Sequence, residues 1–483
     1  MIKRLFKEID IASLVFFRVL FGILAFADIM GLWTYYHLWE DDFNPHKFQF
    51  KYYGFEWVQP MHEPFMSIFF LILLSAAVLV AIGYKYRAST TVLFLGFTYV
   101  FLLEKAHYLN HGYLFCWLSF VMIFLPANRD FSKDVALDTS LHRRTIPYYN
   151  IFILQFLMAT VYFFGGLAKI NADWLSEAMP LKMWIGYKSE MPVLGWLWKQ
   201  EITAFVMSWS GMLLDLLIVF FLFFRQTRLA ALLFVLFFHI TNTILFQIGI
   251  FPWLSIGLTL LFFPPTRPRL WIDWLGDKLK VVKRIRIWWE EKVSENKNNS
   301  TVAKQEQKSW KEIFSSKNPV VSDLSNSKKK GILIAIALLV IIHCSLPLRQ
   351  HLYPGPTAWT EEGHRYSWRM MLRQKVAYGT FIVKSSDWEK EKRINPNEFL
   401  SKKQARKMRT HPDMILQFAH FLRDKFAAEG RKDVEVYAKI QAKLNGRRYQ
   451  VYVDKTVDLA QIEWSFFEHS DWIIEFENTE IKK

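Results

Sequence analysis

A single lysine beside a membrane-length apolar segment is the residue whose type and position most suggest chemistry. Lys169 follows the apolar segment VYFFGGLA at 161–168, and the polar turn at 171–174 comes next. Partial removal from water disfavours the charged form of an amine, and a neutral amine can accept a proton. The same position also suits a lysine that extends its ammonium to the membrane interface. We predict that Lys169 is a catalytic base, with an interfacial anchor as the alternative.

Further polar residues, which are rare in membrane segments, are expected at a similar depth. Two histidines stand four residues apart beside an asparagine, and a third stands three residues from another asparagine on one face of a predicted helix. Intramembrane polar groups usually face the protein interior or a cavity. We expect one pocket to contain the lysine and this group, which comprises His107, Asn110, His111, His239 and Asn242.

Two other readings of the polar residues are possible from spacing. His107 and His111 have the spacing of two metal ligands, but no third ligand and no H-E-x-x-H motif accompanies them, so we predict no metal. Arg18 and Asp215 fall at matching depths inside different spans, and we predict that they form a buried structural pair. Asp28 also lies inside a span, and Gln247 lies near the end of one.

The composition is that of a membrane protein. Hydrophobic residues make up 52% of the 483 residues and aromatic residues 17%, and the net charge is +16. The positive excess is concentrated in particular loops, which indicates membrane topology rather than nucleic-acid binding. The two cysteines, Cys116 and Cys344, lie in separate apolar runs and provide no disulfide framework.

Apolar runs long enough to cross a bilayer predict a polytopic α-helical membrane protein with eight or nine transmembrane helices. The third, fourth and eighth runs are short. The predicted spans are 12–33, 66–84, 89–104, 112–126, 147–167, 203–224, 229–248, 250–263 and 331–348.

The loops that connect these spans differ sharply in basic residues. The loops on the side of the N-terminus, which end with 264–330, carry 27 lysines and arginines, whereas those on the other side carry 7. Cytoplasmic loops are enriched in Lys and Arg. We therefore predict a cytoplasmic N-terminus, with the C-terminal part on the opposite side of the membrane.

Four parts of the chain follow from this pattern. We predict a helical catalytic membrane domain at 1–263, a basic cytoplasmic loop and linker at 264–330, a last transmembrane helix at 331–348, and an extracytoplasmic α+β domain at 349–483. In the last part, 376–383 and 434–453 alternate as strands do, with a turn at Asn445-Gly446, and 397–429 has helical spacing. Glycosylation-type triplets at 298–301 would face the cytoplasm and stay unmodified.

Five segments together resemble the vitamin K-dependent γ-glutamyl carboxylases and the wider group that shares a horizontally transferred transmembrane domain. The lysine segment and the Tyr-Ser-Trp-x-Met-Met segment carry the most specific part of this resemblance. The five are FFRVLFGILAFADI at 16–29, LNHGYL at 109–114, VYFFGGLAKINADW at 161–174, FFHITNTILFQIGIFPW at 237–253 and EEGHRYSWRMML at 361–372.

The resemblance implies an enzyme that couples two reactions. In that family a lysine base deprotonates reduced vitamin K (phylloquinol or menaquinol), which reacts with O2. The oxygenated species removes a γ-proton from a glutamate side chain, the carbon takes up CO2, and the quinone leaves as its epoxide. The implied partners are the lipid bilayer and a glutamate-containing peptide or protein.

The resemblance also implies roles for individual residues. Lys169 and His111 match the catalytic lysine and histidine. Asn110, His239 and Asn242 match polar residues of the quinone pocket. A segment in the tail matches the stretch that holds the glutamate-bearing peptide, namely Tyr366, Ser367, Trp368, Met370 and Met371.

Some positions depart from the animal enzymes. Ala168 stands where those enzymes have a second lysine, and Arg373 stands where they have a histidine. The shorter tail and the absent cysteine bridge suit a bacterial homologue in the inner membrane. Two other functions stay open, namely quinol epoxidation without peptide carboxylation and non-enzymatic lipid binding.

Overall fold

The computed structural model describes residues 2–34, 42–246, 248–295 and 322–481. Gln247 and the triplets at 298–301 lie outside the described residues, as does most of the predicted linker.

Nine apolar helices occupy the nine predicted positions in the described part of the chain. Seven of them are long and apolar enough to cross a membrane, whereas Asn110–Phe124 and Phe251–Leu260 are shorter. In chain order they are α1 (Ala12–Thr34), α2 (Phe65–Ile82), α3 (Tyr86–Leu103), α4 (Asn110–Phe124), α5 (Tyr149–Leu167), α6 (Glu201–Phe223), α7 (Arg228–Leu245), α8 (Phe251–Leu260) and α11 (Asn326–Leu348). Two amphipathic helices, α9 (Arg267–Lys278) and α10 (Lys280–Glu295), lie between α8 and α11.

The third helix is longer than its apolar run predicts. The sequence suggested a span at 89–104, but α3 begins at Tyr86 because its first turn tolerates Arg87 at the end of the bundle. This helix therefore reaches a crossing length of 18 residues.

The loops divide between the two ends of the bundle as the charge pattern predicts. Strand β1 (Glu8–Asp10) pairs with β2 (Thr145–Pro147), and Arg269 bonds both Asp10 and Asp130. Lys85 donates its backbone N–H to Asp134 at 2.7 Å. We call this the basic end. The loops at 42–64, 104–111 and 168–200 meet the C-terminal domain at the other end, which we call the tail end.

The predicted pair of Arg18 and Asp215 is wrong. The Arg18 guanidinium donates to the carbonyl oxygens of Ala127 at 2.9 Å and Phe131 at 2.7 Å, at the basic end. Asp215 bonds Lys169 instead. Depth counted along a sequence fixes neither the rotation nor the tilt of a helix, so two residues at equal depth need not meet.

The C-terminal domain is built on a four-stranded antiparallel sheet with the order β4-β3-β5-β6. The strands are β3 (Lys375–Lys384), β4 (Lys392–Ile394), β5 (Glu435–Leu444) and β6 (Gln450–Val451). Asn445 and Gly446 begin the turn between β5 and β6, and both have positive φ, at 49° and 82°. Asparagine and glycine tolerate this conformation best.

The helical stretch predicted at 397–429 is interrupted. Helix α12 (Lys402–Met408) and helix α13 (Pro412–Ala428) are separate. Proline lacks an N–H and clashes with a preceding helical turn, so Pro412 starts a new helix. The buried face of α13 packs on the sheet through residues such as Ile415, Phe418 and Leu422.

The C-terminal domain is docked on the tail end through buried charged contacts. Arg447 bonds both carboxylate oxygens of Asp173, and Asn445 donates to the same carboxylate at 2.7 Å. Lys105 lies 2.6 Å from Asp413. These contacts hold the domain over the loop that follows Lys169.

Candidate active site

One cavity of about 830 Å³ extends from the helical bundle into the C-terminal domain. Its bundle half is largely apolar and aromatic and includes Val161, Tyr162, Phe238 and Phe251. Its other half is formed by residues 361–373 and by residues of β3, α12 and the start of α13. Of the predicted group, Lys169, His107, Asn110, His111, His239 and Asn242 all line this cavity.

Lys169 lies at the end of α5 in a buried ion pair. Its Nζ donates to Asp215 Oδ2 at 2.6 Å and to the Gly165 carbonyl at 3.1 Å, and the residue is 6% exposed. The Trp174 ring lies 5.7 Å from the same nitrogen. The amine is therefore held in one position inside the cavity.

The glycine pair before the lysine allows this contact. A Cβ on Gly166 would lie 2.8 Å from the backbone nitrogen of Leu216, so a larger residue would push α5 away from α6. A Cβ on Gly165 would lie 3.4 Å from Asp215 Oδ2 and 3.7 Å from the Met370 methyl group. Small residues let helices approach closely in membranes, and here the approach brings Asp215 to Lys169.

His239 is anchored on one side only. Its Nε2 lies 2.8 Å from the Tyr162 hydroxyl, and its Nδ1 has no hydrogen-bond partner among the described residues. A buried ring nitrogen without a partner costs free energy unless a ligand or water satisfies it. Asn242 lines the same wall one helical turn further on.

The histidines at 107 and 111 have different surroundings within the cavity. His107 contacts Asp42 and Lys403 at the tail end. His111 lies beside Gly249 and the Phe251 ring. Asn110 accepts from the Tyr108 hydroxyl at 3.0 Å, and its position in the cavity wall is thereby fixed.

The segment Tyr366–Met371 packs against the mouth of the bundle, and its residues divide into two sets. The rings of Tyr366 and Trp368 contact the Tyr113 ring of α4 in tilted arrangements, and Trp368 is only 1% exposed. Ser367 is fully buried. Met370 and Met371 line the cavity, together with Arg369. Tyr366, Ser367 and Trp368 therefore support the wall from behind.

A compact group in the C-terminal domain has the composition of a metal site but is occupied by an arginine. Ligand atoms of Glu361, His364 and His411 lie within 4.8 Å of one another. The Arg373 guanidinium bonds both carboxylate oxygens of Glu361 and lies 3.2 Å from His364 Nε2. A dication would have to displace this guanidinium, so the donor set suits an arginine better than a metal.

Two features of the site were not predicted from the sequence. Asp215 was paired with Arg18, and the basic residues of the cavity's tail half were not identified as lining a site. Those residues are spread over β3, α12 and an irregular segment, so no local spacing connects them. They are Arg369, Arg373, Lys375, Lys403, Arg406 and Lys407.

The architecture so far defines a polytopic helical membrane protein with a sheet-containing C-terminal domain over a cavity. Comparison with known families agrees with both parts. The HTTM domain family matches residues 6–266. The family of the vitamin K-dependent gamma-carboxylase lumenal domain matches residues 328–479. No solved structure matches the chain.

The chain belongs to the HTTM domain family and is a gamma-carboxylase-like membrane protein. The interval between the two family matches, 267–327, falls within the predicted basic loop and linker at 264–330.

Proposed function

We propose that this protein is a vitamin K-dependent carboxylase that couples oxygenation of a reduced naphthoquinone to carboxylation of glutamate side chains. One observation carries the proposal, namely that a single cavity joins a buried lysine in an apolar chamber to a basic mouth under the C-terminal domain. The apolar half suits a lipid-soluble quinol, and the mouth suits an acidic peptide.

The residues of the apolar half fit a quinol. Lys169 offers an amine that can take a proton from a hydroxyl, and Asp215 stabilises the ammonium that results. The two groups are 2.6 Å apart in the structure, so this carboxylate is already in place beside the amine. His239 offers the free Nδ1 described above for the quinol's polar edge, and His111 and Asn110 line the cavity beside it.

The reduced naphthoquinone, together with O2, would supply the strong base that removes a γ-proton. One oxygen atom would end in the epoxide and the other in water. The chain's own contribution is to bind and orient the quinol and the peptide and to exclude water. Exclusion matters because water would protonate the carbanion before CO2 could add. The aromatic lining and the docked tail serve this exclusion.

The positive loops support an orientation in the membrane. The basic end would face the cytoplasm and the tail end the opposite side. In a bacterial inner membrane, a peptide substrate would then reach the mouth after export, while the quinol would enter from the bilayer.

A single assay tests the proposed function against its alternatives. Purified protein in lipid nanodiscs is given reduced vitamin K, O2 and labelled CO2, with and without a glutamate peptide. We expect both epoxide and labelled peptide. Epoxide without labelled peptide would indicate a quinol epoxidase alone, and neither product would favour a lipid-binding protein.

A further inference from the structure

Helices α9 and α10 form a hairpin at the basic end, away from the cavity. No residue of either helix lines the cavity. The two helices are separated by Leu279 alone. They fold back on each other, since Arg286 donates to Asp273 at 2.9 Å and a Cβ on Gly276 would lie 3.6 Å from the Lys283 Cα. We call this pair of helices the basic hairpin.

The basic hairpin is fixed beside the membrane-length helix α1. Trp289 donates its ring N–H to Asp130 at 3.1 Å, and Arg269 bonds the same carboxylate. The Trp271 ring lies 5.7 Å from the ring of Phe16, which is in the second turn of α1. The ends of a helix that just crosses the hydrocarbon core lie near its boundary. The basic hairpin therefore lies at the level of the lipid headgroups.

One face of α10 exposes a row of apolar side chains. Val281, Ile285 and Trp288 are spaced at i, i+4 and i+7, so they lie on the same side of the helix. They are 67%, 44% and 53% exposed. We call these three residues the apolar stripe. Leu270 and Trp274 of α9 are exposed as well. Contiguous exposed apolar residues indicate an interaction surface.

Basic residues accompany the apolar stripe. The nine residues 278–286 contain five cations and no acidic residue. Arg286 is paired with Asp273. Lys280, Lys283 and Arg284 are exposed, and none of them has a carboxylate partner among the described residues. A helix that combines an exposed apolar face with exposed cations is typical of segments that lie in the interface of an anionic bilayer.

We propose that the basic hairpin binds anionic phospholipids of the leaflet at the basic end. Lys280, Lys283 and Arg284 bond the lipid phosphates, and the apolar stripe inserts among the acyl chains. Trp288 suits this boundary because an indole combines an apolar ring with a polar N–H. This binding needs neither quinol nor peptide and is independent of the proposed function.

Charge argues for lipid over another part of this chain as the occupant of the apolar stripe. Residues 296–321 follow α10 directly and contain five lysines and two glutamates. Their positive excess would repel the cations of the basic hairpin. An anionic headgroup, in contrast, is complementary to those cations.

Native mass spectrometry of the purified full chain tests the inference. The protein is held in detergent with equal amounts of phosphatidylglycerol, which is anionic, and phosphatidylcholine, which has no net charge. We expect about tenfold more phosphatidylglycerol than phosphatidylcholine on the protein, because each cation adds to the attraction. The triple variant Lys280→Gln/Lys283→Gln/Arg284→Gln should lose most of this preference. The variant Lys280→Arg/Lys283→Arg/Arg284→Lys should keep it, because the charge is kept.

A matched control removes the same charge from the C-terminal domain. Lys390, Lys432 and Lys455 are exposed there, and replacing all three by Gln leaves the basic hairpin unchanged. This control should keep the preference for phosphatidylglycerol. The inference fails if the two Gln variants retain equal amounts of that lipid, or if the unmodified protein binds both lipids equally. Thermal unfolding confirms that each variant is folded.

A photoreactive side chain in place of Ile285 identifies what covers the apolar stripe. The full chain is placed in nanodiscs that contain phosphatidylglycerol and is then illuminated. We expect cross-links to lipid. Cross-links to residues 296–321 or to a second copy of the chain would overturn the inference, because the stripe would then be a protein interface.

Discussion

At the scale of single residues, the ion pair of Lys169 and Asp215 determines how the lysine can act. The buried carboxylate of Asp215 lies 2.6 Å from the Lys169 nitrogen and keeps the amine in place. A carboxylate at this distance would also stabilise the ammonium that forms when the amine accepts a proton. Asp215 is therefore a positioning residue for Lys169.

Replacing the lysine should separate charge from basicity. Lys169→Arg keeps a cation beside Asp215 but supplies no base near neutral pH. We expect epoxidation to fall at least about 100-fold, the usual effect of losing a general base. Quinone epoxide measured by chromatography gives the result, and near-normal turnover would show that Lys169 only anchors Asp215.

Lys169→Ala needs a companion variant because it leaves a buried carboxylate unpaired, which costs about 3–5 kcal/mol. The double variant Lys169→Ala/Asp215→Asn removes that charge. We expect the double variant to regain the thermal stability that the single variant loses, and to stay inactive. A small amine added from solution to the Lys169→Ala variant should restore part of its epoxidation activity, because the amine replaces the missing base.

Asp215→Asn tests the positioning carboxylate. The asparagine oxygen can still accept a hydrogen bond from Lys169, so the position of the amine is kept, whereas the negative charge that stabilises the ammonium product is lost. We therefore expect epoxide formation, measured by chromatography, to fall by about tenfold or more. Unchanged epoxide formation would contradict this role for Asp215.

At the scale of secondary-structure elements, the close approach of α5 and α6 creates the site. Gly166 leaves no room for a side chain against Leu216. The tail segment adds a second constraint, since Tyr366, Trp368 and Met371 have positive φ, at 68°, 55° and 53°. Such a backbone persists only where its surroundings hold it, and here Tyr113 and the end of α5 do so.

Gly166→Ala should separate the two helices. The added methyl group meets backbone, which cannot rotate away, so we expect a loss of about 1–3 kcal/mol in stability and a larger loss of epoxidation. Gly186→Ala is the matched control because a Cβ there meets nothing within 4 Å. Thermal unfolding and epoxide formation are measured on both variants. Equal stability and equal epoxide formation in the two variants would mean that the close approach of α5 and α6 is not needed.

At the scale of the whole molecule, the bundle is a two-ended body with a basic end and a tail end. Among the described residues, the loop regions at 1–11, 85–88 and 127–146 and the start of 264–330 meet at one end, through the contacts of Arg269 with Asp10 and Asp130 and of Lys85 with Asp134. The C-terminal domain covers the other end. An odd number of crossings between the N-terminus and this domain is the simplest way to connect them.

The orientation of this body gives a direct prediction. A reporter that is active only in the cytoplasm, fused after Lys483, should stay silent, because loops rich in Lys and Arg favour the cytoplasmic side and would keep the basic end there. A second fusion of the same reporter within 264–295 should be active. The opposite pattern would show that the orientation is reversed and that the mouth of the cavity faces the cytoplasm.

The sequence by itself determined the class of protein and most of its elements. Runs of apolar residues located nine helices, since burying a backbone in lipid requires a helix of that length. Charge counts sorted the loops into two sets. The family resemblance selected Lys169, His111, His239 and their neighbours, which the structure brings to one cavity.

Only the tertiary structure decided which polar groups meet. Hydropathy carries no information about helix rotation, so Asp215 was assigned to Arg18 although it bonds Lys169. The basic residues in the tail half of the cavity could not be grouped from the sequence, because they come from a strand, a helix and an irregular segment that fold together. Trp368 matched a substrate segment in sequence but is buried against α4. These contacts are determined by long-range packing. Such packing depends on side-chain shape and on all neighbouring elements at once.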